Sequence, residues 1–407
     1  MSRFREVQEE NKHRRERLLE GKYNCLPFPF VRFRKKYPGV EQGKFIIISA
    51  NQKVGKSKLA DYLFIYEPLF YMMEHPELKV KVLYFSLEMS AKEKYNEFLC
   101  HLLWRLDGIH VDTRELRSVD KACDEHILNL LESERYQKYI QAYENMVIFN
   151  DTDKHPTGIK VFCWDYARKH GKFNYVTIEA ENPVTGELEE RKVYDPIKPY
   201  TQDDEEEYRF IIMDNAANVA VEKGLKDQRE AIERVSKDGI ELKKKLNYIY
   251  VLIQHQAQAA EGLEAIKMDM MVPSAANLGN NKETSRDVNC LIGLYNPEKY
   301  GKREYLGYDL IKLKGFCRFL IISEDRDYGA GGSICPLFFD GAVSTFAELP
   351  LPNDTEELNR VYQYINQINS TRNISLFTLN KHFNNRLIGK KIKKYICSLF
   401  HKKEYRS

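Results

Sequence analysis

The feature that most constrains this fold is a loop joining a short apolar strand to a helical pattern. The run Phe45–Ile48 leads into a segment that ends in Gly55-Lys56-Ser57, and helix-favouring residues follow. A buried strand, a loop ending in Gly-Lys-Ser and a helix N-terminus together cradle the phosphates of a nucleoside triphosphate. In this pattern Lys56 would reach the β- and γ-phosphates, and the Ser57 hydroxyl would hold Mg²⁺. The sequence therefore predicts ATP and Mg²⁺ as ligands.

The loop departs from the usual pattern at its first position, Ala50, where glycine is common. Alanine adds only a methyl group and adopts many of the same backbone angles, so we expect the phosphate site to be kept. The alternative is an ordinary turn between a strand and a helix. The residues predicted to contact the nucleotide are Ala50, Asn51, Gln52, Lys53, Val54, Gly55, Lys56, Ser57 and Lys58.

Short apolar segments alternate with helical patterns along most of the chain. The predicted strands are Phe45–Ile48, Lys79–Phe85, Met146–Asn150, Phe210–Met213, Tyr248–Ile253 and Cys290–Tyr295. Strands separated by helices indicate an α/β fold with a doubly wound, mostly parallel sheet. Residues 305–348 favour antiparallel strands instead, joined by a glycine-rich turn at 329–332.

Two segments interrupt this alternation and suggest a division of the chain. Residues 171–202 predict an inserted β-hairpin that turns at Asn182–Gly186. Residues 350–407 predict a small helical, basic C-terminal region. We therefore expect a basic N-terminal helix and linker at 1–36, a large α/β domain at 37–349, and the C-terminal region at 350–407. The charged helix at 1–20 would be marginal alone, so we expect it to dock on another surface.

Charge is distributed unevenly, although the net charge of the 407 residues is only +3. Residues 1–36 carry a net charge of +6, residues 380–407 carry +8, and the body between them carries −11. Basic ends on an acidic body suggest contacts with nucleic acid or acidic partners. Charged, solvated termini that keep the protein soluble are an equal alternative.

The cysteines and the N-terminus indicate the compartment. Eight cysteines lie far apart without a CxxC pair, which is typical of reduced thiols in a cytoplasm. The N-terminus lacks the apolar segment of a secretory signal. No stretch approaches the ~20 apolar residues that cross a bilayer, so we expect no membrane contact.

Two carboxylates follow predicted strands. Glu88 comes just after Lys79–Phe85, where a carboxylate can orient and deprotonate the water that attacks the γ-phosphate. Its alternative role is a glutamate favoured by a helix dipole. Asp214 closes another strand and would hold Mg²⁺, or else cap the next turn. Because Asn215 rather than glutamate follows Asp214, the catalytic role is assigned to Glu88.

An amide follows a third strand. Gln254 lies at the end of Tyr248–Ile253, where its amide would bond the γ-phosphate and report hydrolysis to the loop at 256–280. A purely structural glutamine is the alternative. The loop is long and rich in alanine, methionine and glycine, so we expect it to be mobile.

These residues carry a resemblance to a known family. The block Ser86-Leu87-Glu88-Met89-Ser90 resembles that of bacterial replicative DNA helicases of the DnaB type and of related phage proteins. The resemblance covers roughly 37–348 and implies a RecA-like motor domain. It extends to Asp214, Gln254, the segment 277–297 and the segment 320–329. Residues 1–36 are too short for the family's N-terminal helical domain, so the chain resembles a phage-like version.

The resemblance also implies a residue that acts on a neighbouring subunit. In the family a Lys-x-Arg pair precedes a glycine turn and reaches the ATP of the adjacent subunit. Arg326 matches the arginine, which stabilises charge on the transferred phosphoryl group. The lysine position is occupied by Glu324, and Lys312, Lys314 or Arg318 are candidates to compensate.

The function implied is an ATP-dependent replicative helicase. The family forms rings, so we expect a homo-oligomer, most simply a hexamer, in the cytoplasm of a bacterium, with a phage as the candidate source of the gene. Loops would hold single-stranded DNA in the central channel, with Gln258, Lys267 and Asn277 as candidate contacts. A helicase loader, a primase or a polymerase is a candidate partner for the basic C-terminal region.

Two other classes stay open at this stage. One is a RecA-type recombinase that binds single-stranded DNA as a filament. The other is a non-catalytic assembly protein that retains the nucleotide-binding fold, which Ala50 and Glu324 favour slightly.

Overall fold

The computed structural model describes residues 3–182, 186–257, 270–278, 284–286 and 288–374. Gln258, Lys267, the middle of the predicted hairpin turn, most of the loop at 256–280 and the basic segment 380–407 lie outside these residues. Among the described residues, no helix has the length and apolar character needed to span a bilayer.

The chain alternates strands with helices. Within the described residues the strands are β1 (Leu26–Pro27), β2 (Gly39–Val40), β3 (Phe45–Ala50), β4 (Lys79–Ser86), β5 (Val147–Asn150), β6 (Gly171–Phe173), β7 (Tyr175–Glu181), β8 (Leu188–Tyr194), β9 (Tyr200–Gln202), β10 (Glu207–Asp214), β11 (Ile249–His255), β12 (Cys290–Tyr295), β13 (Glu304–Tyr305), β14 (Tyr308–Asp309), β15 (Cys317–Asp325), β16 (Ile334–Asp340) and β17 (Thr345–Glu348). The helices are α1 (Arg3–Leu19), α2 (Lys56–Asp61), α3 (Glu67–Glu74), α4 (Ala91–Asp107), α5 (Thr113–Leu116), α6 (Glu125–Glu132), α7 (Glu134–Met146), α8 (Pro156–Lys169), α9 (Gln228–Leu246), α10 (Leu310–Leu313) and α11 (Thr355–Ile374).

A nine-stranded sheet organises the described part of the chain, in the order β17-β16-β15-β12-β3-β11-β10-β4-β5. The six strands from β12 to β5 are mutually parallel. The remaining three, β15 to β17, are antiparallel to their neighbours. The prediction of a mostly parallel sheet with antiparallel C-terminal strands is therefore confirmed.

Both faces of the sheet are covered, which explains why its central strands are apolar throughout. All six residues of β3 are buried. Ile46 and Ile48 pack into one apolar cluster with side chains of α2 to α4 and α7, together with the aromatic residues of 28–37. Phe45 and Ile47 pack into a second cluster, on the opposite face, with side chains of α8 and α9. The period-two alternation of a strand divides its side chains between these two layers.

The direction of β15 defines two edges that matter for function. One edge carries the loop at residues 50–58, here called the phosphate loop. At this phosphate-loop edge, β3 ends at Ala50 and β15 begins at Cys317. At the far edge, β3 begins and β15 ends, because Cys290 of β12 pairs with both Ile46 and Asp325. Residues near the two ends of β15 therefore lie at opposite edges of the sheet.

Between β4 and β5 the sequence pattern predicts a helical stretch over roughly 113–145, whereas the structure divides these residues among α5, α6 and α7. Side-chain caps mark the starts of α5 and α6. Asp112 accepts hydrogen bonds from the backbone N–H groups of Arg114 and Glu115, and Asp124 accepts one from that of His126. A side chain that satisfies the first N–H groups of a new helix favours a start at that point.

The inserted segment forms antiparallel strands close to those expected. β7 pairs with β8, with Tyr175 opposite Tyr194, and β6 pairs with β9 at the base of the hairpin. Phe173 stacks on Trp164 of α8 with ring centroids 5.3 Å apart. A two-stranded ribbon is marginally stable alone, so this aromatic contact anchors it to the rest of the fold.

Candidate functional site

The phosphate loop connects β3 to α2 through a backbone turn that requires glycine. Gly55 has φ of +109° and directly precedes the first helical residue, Lys56. A Cβ atom at Gly55 would also lie 3.0 Å from the ring of Phe339. Both the left-handed backbone and the close ring therefore exclude larger residues here.

The loop is braced from behind by residues of the C-terminal third. Asn51 donates a hydrogen bond to the hydroxyl of Tyr300. Lys299 Nζ donates to the carbonyl of Gln52 at 3.1 Å, and Arg318 Nε donates to that of Val54 at 2.9 Å. The loop is thus fixed before any nucleotide binds, which reduces the entropy lost on binding.

Ser57 and Asp214 meet at the phosphate-loop edge, as expected of a magnesium site. Ser57 Oγ donates to Asp214 Oδ1 at 2.7 Å. The second carboxylate oxygen, Oδ2, accepts from the Tyr84 hydroxyl at 2.9 Å. A hydroxyl and a carboxylate beside a phosphate loop are oxygen donors that suit Mg²⁺, so the donor set fits this ion.

A buried lysine lies behind this pair. Lys94 of α4 is 2% exposed, and its Nζ contacts Asp214 Oδ2 at 3.0 Å and Asp61 Oδ2 at 2.9 Å. Glu97, one turn further along α4, accepts a hydrogen bond from Lys58 at 2.5 Å. The charges behind the phosphate loop are therefore paired with one another, which buried ions require.

The pKa values in this network follow from burial and pairing. Burial opposes the charge of Lys94, but Asp61, Asp214 and Glu97 outweigh it and raise the pKa of the lysine. Burial also opposes the charge of Asp214, but Lys94 and the Ser57 hydrogen bond hold its pKa below the ordinary value. Burial dominates at Asp61 and raises its pKa to about 6. Of the two aspartates on Lys94, Asp214 thus keeps its charge more firmly.

The end of β11 carries two polar side chains with different surroundings. His255 Nδ1 lies 3.0 Å from Lys56 Nζ, so the histidine contacts the phosphate-loop lysine. Gln254 is buried, and its amide bonds the carbonyl of Leu278 at 3.3 Å and the hydroxyl of Thr284 at 3.0 Å. Gln254 therefore links β11 to the residues that flank the long loop.

Glu88 lies outside the helix that follows it. The N-cap of α4 is Ser90, whose hydroxyl accepts from the backbone N–H of Glu93, while the Glu93 side chain accepts from the Ser90 N–H. Glu93, not Glu88, is the acidic residue of the capping box. Glu88 is exposed, and its Oε2 accepts a hydrogen bond from the side-chain amide of Asn215.

Arg326 lies at the far edge, away from the phosphate loop of its own chain. It follows the end of β15, whereas Arg318 near the start of this strand contacts the phosphate loop. Eight residues of extended strand separate the two by about 26 Å. Arg326 is exposed, and its guanidinium donates to the carbonyl of Arg286.

The structure corrects the suggestion that Arg318 replaces the missing lysine at position 324. The Arg318 guanidinium is buried under its own phosphate loop, donates to three backbone carbonyls and lies over the Phe339 ring. Burial lowers its pKa to about 10. Lys312 and Lys314 precede β15 at the same edge, with Lys314 bonded to Asn366. All three lie at the edge opposite to Glu324, so none can take its place.

Of the three candidate DNA contacts, only Asn277 lies within the described residues. Its backbone carbonyl accepts from the N–H of Ala257 at 2.8 Å, and its side-chain amide donates to the carbonyl of Met270 at 3.3 Å. Asn277 therefore holds the two described ends of the long loop together.

The sequence interpretation missed three contributors: Lys94, His255 and the phosphate-loop brace at Arg318. For Lys94 a signal existed, because Lys94, Glu97 and His101 recur at the spacing of the buried face of α4. Polar residues on a buried helix face indicate an internal network. No comparable sequence signal marks Arg318, since its partner Val54 is distant in the chain.

Comparison with known proteins shows which solved structures share the fold of this chain. No protein-family model and no curated protein matches this sequence. Among solved structures, the ATPase domain of a helicase aligns with 84% of this chain and 99% of its own, at 15% identity and a TM-score of 0.57. A DnaB-like replicative helicase, described with its interactions with primase, aligns with 82% of this chain and 66% of its own, at 15% identity and a TM-score of 0.56. The RecA-like fold of DnaB-type ATPase domains is therefore confirmed for this chain.

Proposed function

We propose that this chain is an ATP-dependent DNA helicase motor that assembles into a ring, most simply a hexamer. The observation that carries the proposal is the division of the site between two edges. Lys56, Ser57, Asp214 and Glu88 gather at the phosphate-loop edge, whereas Arg326 lies at the far edge. The similarity in fold to helicase ATPase domains supports the same interpretation.

The residues at the phosphate-loop edge divide the work of hydrolysis. Lys56 binds the β- and γ-phosphate oxygens, displacing its contact with His255. Ser57 and Asp214 would hold Mg²⁺, which would neutralise charge that develops on the phosphates. Glu88 orients the attacking water and accepts its proton. Gln254 bonds the γ-phosphate, and its loss on hydrolysis shifts the hydrogen bonds of Gln254 to Leu278 and Thr284. This change couples hydrolysis to the loop at 256–280.

We assign Arg326 to the ATP site of a second subunit. Its own phosphate loop is about 26 Å away along β15, so the guanidinium can complete only a neighbour's site. A contact between one edge of a subunit and the opposite edge of the next is head-to-tail, and such contacts close into rings or extend as filaments. We assign α1, whose Phe4 and Leu19 side chains are about 70% exposed, to the contact that holds neighbours together.

The polymer bound in the channel is single-stranded DNA, held through its phosphates without base recognition. Asn277 brings the described ends of the long loop together, so the loop is attached next to the ATP site. The DnaB-like structure is described with primase interactions. A primase, a loader or a polymerase is accordingly the partner class we assign to the basic C-terminal region.

The test is strand displacement on forked DNA with Mg²⁺ and ATP. We expect the wild type to separate the strands, and both Glu88→Gln and Arg326→Ala to fail while still binding the fork. Glu356→Gln, a change on the exposed side of α11, serves as the matched control and should unwind normally. Hydrolysis that is stimulated by DNA without strand separation, together with filaments in negative-stain images, would favour a recombinase. Absence of hydrolysis in the wild type would favour an assembly protein.

A further inference from the structure

Asn215 occupies a position that the proposed mechanism has not used. It follows Asp214 at the end of β10 and is 3% exposed. Its Oδ1 accepts a hydrogen bond from the backbone N–H of Ala217 at 3.0 Å, which caps the short helical turn Ala216–Asn218. Its Nδ2 donates to Glu88 Oε2. Both ends of a buried amide are therefore in use.

These two contacts fix which way the amide points. An N–H donor such as that of Ala217 requires an oxygen, so the NH₂ group must face Glu88. The NH₂ group donates a hydrogen bond, and a deprotonated carboxylate accepts one. The deprotonated carboxylate is also the form of Glu88 that can take a proton from water. An aspartate or glutamate at 215 would place a second acceptor against Glu88 and repel it.

The backbone on both sides of this contact is held as well. The N–H of Leu87 donates to the carbonyl of Asp214 at 2.8 Å, and Ser86 Oγ donates to the carbonyl of Met89. The strands β4 and β10 are paired in parallel up to Ser86 and Asp214. The base of the Glu88 side chain is therefore fixed, but the flexible carboxylate at its exposed end needs a separate contact to select one position.

We propose that Asn215 is a positioning residue for Glu88. It holds one carboxylate oxygen through its NH₂ group and leaves Oε1 to face the attacking water. This inference rests on the proposed function, because it assigns Asn215 to the same hydrolytic step. The contact also links Glu88, which would orient the water, to the residue that directly follows Asp214, which would bind Mg²⁺. The positions of Glu88 and Asp214 are therefore coupled through Asn215.

The test uses Asn215→Ser, because serine also caps a helical turn but lacks the NH₂ group. We expect kcat for ATP to fall about 10- to 100-fold, as is typical when an outer support of a catalytic group is lost. KM and the Kd for a non-hydrolysable ATP analogue with Mg²⁺ should stay within about twofold of the wild type, since the substituted group does not touch substrate. Asn218→Ser, in the same turn but exposed, is the matched control and should keep the wild-type kcat.

A double variant separates positioning from general damage. If Asn215 acts only through Glu88, then Glu88→Gln combined with Asn215→Ser will be no slower than Glu88→Gln alone. A multiplicative loss in the double variant would overturn the inference, as would an unchanged or increased kcat in Asn215→Ser. Should Asn215→Ser fail to fold, as judged by thermal melting, Asn215→Asp keeps the shape and the cap, and the same fall in kcat is expected.

Failure of the inference and failure of the proposed function give different results. If Glu88→Gln slows hydrolysis strongly, leaving a measurable residual rate, but Asn215→Ser is normal, only the role of Asn215 is wrong. If Glu88→Gln hydrolyses ATP at the wild-type rate, or the wild type hydrolyses none, the proposed function is wrong and the inference is overturned with it.

Discussion

The two edges of the sheet differ in how completely each is organised by its own chain. At the phosphate-loop edge, the polar side chains are paired internally: Ser57 with Asp214, Lys56 with His255, and Asn215 with Glu88. At the far edge, Arg326 lies in an exposed turn, and its guanidinium donates to a backbone carbonyl, that of Arg286, rather than to a side chain. Under the proposed function, the first edge receives the nucleotide and the second contacts a neighbouring subunit.

The far edge is nevertheless well ordered. Asp325 Oδ2 accepts hydrogen bonds from the backbone N–H groups of Tyr328 and Ala330, at 2.9 and 2.8 Å, so it shapes the turn after Arg326. Lys44 pairs with Asp327 at 2.8 Å and ties this turn to the start of β3. A guanidinium on a braced turn loses little freedom when it contacts a neighbour, which is the requirement for electrostatic stabilisation of a transition state.

The largest effect on hydrolysis should come from variants that each alter one of the two edges. Arg326→Ala removes the cation supplied to a neighbour, and we expect hydrolysis to fall by about 10³- to 10⁵-fold. Lys56→Ala removes the phosphate contact and should also be inactive. In an equal mixture, about one head-to-tail interface in four would join an intact phosphate loop to an intact Arg326. Hydrolysis by the mixture should therefore recover to a measurable fraction of the wild-type rate.

The control for this experiment mixes two variants that are both altered at the phosphate-loop edge. When Glu88→Gln is mixed with Lys56→Ala, every subunit supplies an intact Arg326 but none supplies an intact phosphate-loop edge. No interface can then hold a complete site, so no recovery is expected. Recovery in this mixture, or its absence in the mixture with Arg326→Ala, would contradict the assignment of the two edges to different subunits.

A second prediction concerns stability, and it compares one lysine from each edge. Lys94→Met leaves Asp61 and Asp214 without their shared buried cation, and removal of one partner from a buried ion pair typically lowers the free energy of unfolding by about 3–5 kcal/mol. Lys44→Met breaks the pair with Asp327, whose side chains are each 21% exposed, and should lower it by about 0–1 kcal/mol. Urea unfolding measures both. Equal losses for the two lysines would show that the buried network is not what stabilises the phosphate-loop edge.

Much of the fold could be predicted from sequence because local patterns record it. The apolar run of β3, the start of a helix after Gly55 and the span of β12 at Cys290–Tyr295 all follow from periodicity and loop chemistry. The start of α5 at Thr113 agrees with the predicted helical stretch, but the separate start of α6 was missed, although Asp124 is a residue type that commonly caps helices. The pattern shows where apolar faces lie more clearly than where a helix stops.

The site was only partly predictable, for a physical reason. Glu88 and Asp214 follow strands, and parallel strands bring their carboxyl ends to one edge, so their meeting there was expected. The contacts made by Arg318 and Asn215 depend on tertiary packing, which brings residues distant in sequence together. The sequence interpretation named Arg318 as a candidate to compensate for the lysine absent at position 324, and the position of Arg318 near the start of the antiparallel strand β15 shows that it lies at the opposite edge.

The smallest predicted effect compares Arg318 in β15 with Arg326 in the turn that follows it. The two arginines should differ in whether their loss changes the Kd for ATP or the kcat of hydrolysis. Arg318→Met removes the donor to Val54, so the phosphate loop loses a brace and the Kd for an ATP analogue should rise about tenfold, with kcat changed little. Arg326→Met should show the reverse, a large fall in kcat with Kd nearly unchanged, because its contribution is confined to the transition state. Binding and steady-state kinetics on both variants measure this difference. If Arg318→Met lowered kcat and left Kd alone, the guanidinium under the loop would be acting on the reacting phosphate itself.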